Sequence, residues 1–191
     1  MRQIKVDRDT VVRPLLPGEA GLIYALIDAN RAYIARFLPW ATPEYSIEDA
    51  RKFIVQQQES QSKGDSAGGG IFFKGAIAGD IGIRGLKSPN KSASIGYWLA
   101  EQWQGRGIIT KCCRKLVDLA FIEHGMHRIE ILAATSNVKS QAVPKRLGFV
   151  HEATLREAVL LTDGYQGFEV YSVLAHEWPE VAEKRALSAQ A

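Results

Sequence analysis

Three short β-rich runs, residues 70–73, 77–86 and 93–99, follow one another with only Lys74-Gly75 and Lys87-Ser88-Pro89-Asn90 at the breaks. Connections this short favour antiparallel neighbours, because a parallel pair needs a crossover of about a dozen residues or more. A β-meander therefore occupies the middle of the chain, and every other element has to pack around it.

Before the meander, residues 11–16 read as a first strand, preceded by the polar Asp7-Arg8-Asp9 and ended by Pro17-Gly18. From Glu19 onward Leu22, Ile23, Leu26, Ile27, Tyr33, Ile34 and Phe37 recur at helical spacing until Pro39 stops the run. Ser46 with Asp49 three residues on has the pattern of a helix start, and Ile47, Ala50, Phe53, Ile54 and Gln57 then share one face. After the meander a helix is expected over 108–124, with Ile109, Cys112, Cys113, Leu116, Val117, Ala120 and Phe121 inward and Gly125 at its end. A central strand at 128–135, a short helix at 138–147 closed by Gly148, and strands at 150–161 and 168–175 around Asp163-Gly164 complete the body. The order is strand, two helices, three strands, helix, strand, helix, two strands, a mixed α/β domain in which no mononucleotide half is repeated. With 191 residues the chain suits one domain, residues 1–178, followed by a polar tail, residues 179–191.

Composition excludes several classes. The net charge of +3 comes from scattered basic residues with no like-charged block, which argues against direct nucleic-acid binding. The two cysteines, Cys112 and Cys113, are adjacent and fall on the inward face of their helix, where packing explains them better than catalysis; no Cys/His array suggests a metal. His124, His127, His151 and His176 have no recognisable serine or cysteine partner. Without a leader or a membrane-length apolar run, a cytoplasmic location and no membrane partner are expected.

Gln102-Trp103-Gln104-Gly105-Arg106-Gly107 lies between the strand ending at Leu99 and the helix starting near Ile108. A helix start offers unpaired N–H groups and a positive dipole end, and glycines admit phosphate oxygens close to the amides. Such a loop is compatible with a pyrophosphate, with Arg106 as a counter-charge, and equally with a plain turn. The dinucleotide fingerprint and the nucleotide-hydrolase phosphate loop both fail here, since Gly107 is followed by Ile108-Ile109-Thr110.

At these residues the chain resembles the GCN5-related N-acetyltransferases (GNAT), whose phosphate motif Q/R-x-x-G-x-G/A matches Gln102 to Gly107. Asn137-Val138-Lys139-Ser140 with Arg146-Leu147-Gly148-Phe149 is similar to the family's run after its fifth strand. Asn30-Arg31, Phe37-Leu38-Pro39-Trp40, Ile95-Gly96-Tyr97-Trp98-Leu99 and Asp163-Gly164-Tyr165 look like the RimJ/RimL branch, which acetylates α-amino groups of ribosomal proteins. The resemblance implies a mostly antiparallel mixed sheet, splayed between its fourth and fifth strands and flanked by helices. It implies acetyl-CoA as cosubstrate, no metal, direct attack by a primary amine, and self-association as one option. A small-molecule amine, or a catalytically silent CoA-binding module, are the alternatives.

Carried over residue by residue, acetyl-CoA is expected on Trp98, Leu99, Gln102, Trp103, Gln104, Gly105, Arg106, Gly107, Ile108, Ile109, Asn137 and Ser140. A backbone N–H near Leu99 would meet the thioester carbonyl. Ser140 is the expected partner of the leaving thiolate, although Asn137 or Ser140 also reads as a simple helix cap. Glu152 resembles the branch's acidic residue and is the expected proton acceptor, with Glu101 a weaker rival. Arg31, Tyr33, Trp40 and Tyr45, with Arg36 nearby, are expected around the acceptor. Pro144 departs from the family pattern: inside a helix it costs roughly 3 kcal/mol and puts the placement of Ser140 in question, whereas in a first turn the cost vanishes.

Overall fold

The computed structural model describes residues 3–179. Eight strands form one sheet: β1 Ile4–Lys5, β2 Thr10–Arg13, β3 Ser66–Phe73, β4 Ala76–Arg84, β5 Ser92–Leu99, β6 Arg128–Ala134, β7 Val150–Leu161 and β8 Gly164–Leu174. Five α-helices accompany them: α1 Ala20–Ala29, α2 Arg31–Ala35, α3 Ile47–Ser62, α4 Ile108–Ile122 and α5 Val138–Arg146. The sheet order is β1-β2-β3-β4-β5-β6-β8-β7, and every neighbouring pair is antiparallel except β5 with β6. The mixed, mostly antiparallel sheet with flanking helices is thus the architecture expected. The tail from residue 179 lies outside the described residues but for Pro179.

The β5–β6 pair is short. Ser92, Ala93 and Ser94 face Arg128, Ile129 and Glu130, and the strands then part. Beyond that point β6 pairs only with β8, so the far half of β5 has one open edge. This is the expected splay; the short β1 shifts the strand numbers up by one.

Each face of the sheet covers a core. Ile95, Leu99, Ile129 and Ile131 meet Ile108, Cys112, Leu116 and Val117 of α4 and Val143 of α5 on one side. Leu15, Phe72 and Ile77 meet Ile23 and Ile27 of α1 and Ala50 and Ile54 of α3 on the other. Burial pushes the Cys112 thiol up to about 12 and Cys113 well above its ordinary value, so both pack as small apolar groups. Trp178 is buried against Phe121 and Phe149, and its indole N–H donates to Asp118 Oδ1 at 2.8 Å, which ties the end of the described chain to α4.

Two local details matter for the site. The helical run expected from Glu19 to Phe37 is broken at Asn30, whose backbone leaves the helix at φ −120° and ψ 11°. Its side-chain amide donates to Leu26 O at 2.9 Å, and its Oδ1 accepts the Glu101 N–H at 3.0 Å. One buried asparagine therefore joins the helical layer to the start of the glycine loop. The start of α3 does follow the sequence pattern: Ser46 Oγ accepts the Asp49 N–H at 3.3 Å, and Asp49 accepts the Ser46 N–H at 3.0 Å. Ser46→Ala removes that cap and is expected to cost about 1 kcal/mol in urea unfolding. An unchanged midpoint would show that the cap adds nothing.

Candidate active site

A cleft of about 1000 Å³ opens where β5 and β6 part, between the first turn of α4, the start of α5 and α2. Its walls come from local rules. Directly after β5, the Ala100 N–H donates to Ala78 O of the neighbouring strand at 2.8 Å. Backbone groups alternate sides along a strand, so the Leu99 N–H and C=O point away from β4, into the gap. The Gln104 side-chain amide reaches that carbonyl at 3.4 Å.

The head of α4 is built for an anion. Its ladder begins with the Lys111 N–H to Gly107 O at 3.1 Å, which leaves the N–H groups of Ile108, Ile109 and Thr110 without helical partners. No side chain caps them, because the N-cap is Gly107 at φ 72°. Gly105 has φ 73°, and a Cβ on either glycine would point into open space. Bare amides, a positive dipole end and the cations Arg106 and Lys111 converge there. Lys111 is held 2.7 Å from Asp7, whose carboxyl it draws down to about 2.

On the opposite wall Asn137 is the N-cap of α5, its Oδ1 accepting the Ser140 N–H at 3.1 Å. The capping role is therefore present, and both residues also line the cleft. Ser140 Oγ–H donates to Tyr97 Oη at 3.1 Å, while the Tyr97 hydroxyl donates to the Ser140 carbonyl at 3.1 Å. Pro144 accounts for that second bond. It lies inside α5 and beyond its first turn, lacks an N–H, and so cannot donate to the carbonyl four residues before it, which is that of Ser140. Tyr97 takes the vacant acceptor. The proline does not displace Ser140; it joins Ser140 to β5. Burial raises the Tyr97 phenol well above its ordinary value, so it stays protonated and can only donate with that proton. Lys139 Nζ donates to Gln104 Oε1 at 3.0 Å, linking α5 to the glycine loop.

Trp98, Leu99, Gln104, Gly105, Arg106, Gly107, Ile108, Ile109, Asn137, Ser140 and Tyr33 all line the cleft. Gln102 and Trp103 do not. They form a 3₁₀ turn, Glu101–Trp103, in which Trp103 packs edge-on against Phe73 and beneath Arg106. Arg31 is a brace rather than a cleft residue: its guanidinium holds Asp28 and the carbonyls of Thr42 and Tyr45. Trp40 stacks between Tyr45, at 5.3 Å, and Trp98, at 6.4 Å, so these two rings back the wall instead of facing the cleft.

Glu152 is the main departure from expectation. It does not line the cleft; Arg128 Nη1 donates to it at 2.7 Å, Arg128 Nη2 grips its other oxygen, and Ser172 Oγ donates at 2.7 Å. Those partners sit where β5 and β6 are still joined, and they hold the carboxyl down to about 2. A carboxylate so stabilised is a poor proton acceptor. Glu101 does not line the cleft either. Tyr97 is the residue that the sequence reading did not single out: it lines the cleft and exchanges two hydrogen bonds with Ser140. No Asp or Glu lines the cleft among the described residues, and none of them form a His/Cys/Asp/Glu group able to hold a metal.

The profile of the acetyltransferase (GNAT) domain family matches residues 10–150. The chain is 34% identical over 177 residues to the "Putative ribosomal N-acetyltransferase YdaF" of Bacillus subtilis (strain 168), covering 91% of this chain and 96% of that protein. It is 29% identical over 169 residues to the ribosomal-protein-serine acetyltransferase of Escherichia coli (strain K12), covering 88% and 94%. Among solved structures, RimL, a ribosomal L7/L12 alpha-N-protein acetyltransferase in complex with coenzyme A, superposes with a TM-score of 0.86 at 25% identity, covering 91% of this chain and 98% of that one. The microcin C7 self-immunity acetyltransferase MccE, in complex with acetyl-CoA and AMP, superposes with a TM-score of 0.83 at 29% identity, covering 90% and 95%. The chain belongs to the GNAT acetyltransferases, within their RimJ/RimL-like branch, and its reaction is acetyl transfer from acetyl-CoA to an amine nitrogen.

Proposed function

We propose that the acceptor is the α-amino group of a protein N-terminus. The observation that carries this reading is the cleft's charge: Arg106, Lys111, Lys139 and Arg146 line it, and no carboxylate does among the described residues. A polyamine would bring additional positive charges that nothing on these walls pairs. An α-amino group titrates near 8 rather than above 10, so a larger share is already neutral at pH 7. The relatives in E. coli and RimL, named for ribosomal-protein acceptors, agree with it.

In this reading the amides of residues 108–110 and Arg106 hold the pyrophosphate, and Asn137 and the open edge of β5 hold the pantetheine arm. The Leu99 N–H donates to the thioester oxygen as charge develops there. The amine nitrogen attacks the carbonyl carbon, the C–N bond forms and the C–S bond breaks. Ser140 Oγ–H turns from Tyr97 to the departing sulfur, which leaves as the thiol after taking a proton from the nitrogen.

MccE, whose complex holds AMP, favours a second reading in which the acceptor is a small amine. Calorimetric titration with acetyl-CoA, repeated on Gly105→Trp, comes first: micromolar binding by the wild type and none by the variant are expected, since the indole would occupy the phosphate approach. Turnover assays on N-terminal peptides against small amines then choose the acceptor. Activity confined to small amines would overturn the peptide reading.

A further inference from the structure

The reaction releases one proton from an α-ammonium group, and the cleft walls offer no carboxylate to take it. Asp80 on β4 is the one buried carboxylate among the described residues, at 7% exposure. It stands opposite Gly70 on β3 and Trp98 on β5. Residues facing each other across antiparallel strands share a face. The Asp80 side chain is therefore on the α1–α3 side of the sheet with Trp98, and Trp98 is one of the residues that line the cleft.

What surrounds the carboxylate stabilises its charge less than burial penalises it. Its oxygens offer about four acceptor sites, yet among the described residues its only hydrogen-bond donor is the Gln57 amide, at 3.4 and 3.5 Å. Gly70 brings no side chain and Trp98 no charge. Arg84, on the same strand, attracts it from a distance without a hydrogen bond. From the neighbouring elements come Tyr24 on α1, and Tyr45, Arg31 and Asp49 around the start of α3. Burial outweighs Gln57 and Arg84 and lifts the carboxyl to about 6. A fold that needed only a polar filler here would do as well with an amide, whereas an under-bonded carboxylate beside the active site has proton affinity to spare.

We propose that Asp80 is the proton acceptor for the amine, reached through one water molecule that passes the edge of the Trp98 ring. The inference rests on the acetyl-transfer reading above. The ammonium group gives one proton through that water to the Asp80 carboxylate, and the neutral amine then attacks. A second nitrogen proton goes to the CoA sulfur as the C–S bond breaks, and Asp80 returns its proton to solvent before the next turnover. The matching is favourable, since a carboxyl near 6 lies about two units below an α-amino group.

Asp80→Asn keeps the shape and the Gln57 contact. Its kcat/KM at pH 7 is expected to fall on the order of 100-fold, with acetyl-CoA affinity unchanged. The wild-type profile of kcat/KM is expected to bend near pH 6, and the variant to lose that bend and follow the amine's own ionisation. A merely structural Asp80 would leave the profile alone and change only stability. Its folded value lies above the unfolded 3.8, so it favours folding below about pH 4 and the benefit is lost as pH rises through 6; the variant lacks this slope in either case. Should Asp80→Asn fail to fold, a carbon-13 titration of the Asp80 carboxyl in the wild type decides: a midpoint near 6 supports the role, and one below 4.5 overturns it. An active wild type with an unchanged variant profile sinks this inference alone. A wild type inactive toward every amine sinks the acetyl-transfer reading with it.

Discussion

Ser140→Ala is expected to bind acetyl-CoA as tightly as the wild type and to turn over on the order of 100-fold more slowly. The reason is the position of its hydroxyl, which lines the cleft at the start of α5 and is parked on Tyr97 Oη at 3.1 Å. A donor needed only as sulfur leaves lowers kcat and kcat/KM together without affecting cofactor affinity. Tyr97→Phe tests the same unit from the other side. It removes the donor that satisfies the Ser140 carbonyl, so about 1–3 kcal/mol of stability should go with it. Because the two hydroxyls work as a pair, the double variant is expected to lose less activity than the product of the single losses. Calorimetry for binding and steady-state assays for kcat separate the effects. A Ser140→Ala enzyme with wild-type kcat, in assays where chemistry limits the rate, would remove Ser140 from the mechanism.

Gly69→Ala is expected to leave little folded protein. Gly69 sits in β3 at φ 148°, and a Cβ there would lie 2.1 Å from the Arg13 carbonyl oxygen of β2, which is main chain in a paired strand and cannot yield cheaply. Backbone strain of about 1–3 kcal/mol adds to that overlap, for a total of about 4 kcal/mol or more. Domains of this kind have only about 5–15 kcal/mol in hand. Gly82→Ala in the adjacent strand is the control: its nearest neighbour is Ala67 O at an ordinary 3.6 Å, with no positive φ. Urea midpoints should differ widely between the two variants. Equal midpoints would mean that β2 and β3 can separate without loss.

The sequence showed what depends on near neighbours. The face of α4, the Ser46 cap and the full span of β7 follow periodicity and capping rules that act within a few residues. The first half of β3 was hidden because Ser66-Ala67-Gly68-Gly69 has low strand propensity; neighbouring strands, not its own side chains, hold it extended. The bracing role of Asn30 was hidden for a similar reason, since its partner Glu101 lies 71 residues away. The glycine loop and the Asn137–Ser140 segment were singled out by the resemblance to the family's motifs, because the residues alone read equally as a turn and a helix cap. The ion pair of Glu152 was hidden because Arg128 is 24 residues distant and the strand pattern gives no hint of it. Asp80 in turn reads as one polar position in a strand, and only the sheet register places it beside Trp98.

The parting of β5 from β6 also bears on how such a protein can change over generations. Much of the proposed grip on acetyl-CoA belongs to main chain: the open edge of β5 and the first amides of α4. Peptide groups are the same whatever residue carries them, so substitution can hardly erode that half of the recognition short of breaking the fold. The rest of the cleft wall, where the proposed acceptor would lie, includes side chains such as Tyr33, Phe37 and Val159, each replaceable by a single mutation. A lineage on this scaffold can therefore exchange one acceptor for another while its donor chemistry is handed down intact.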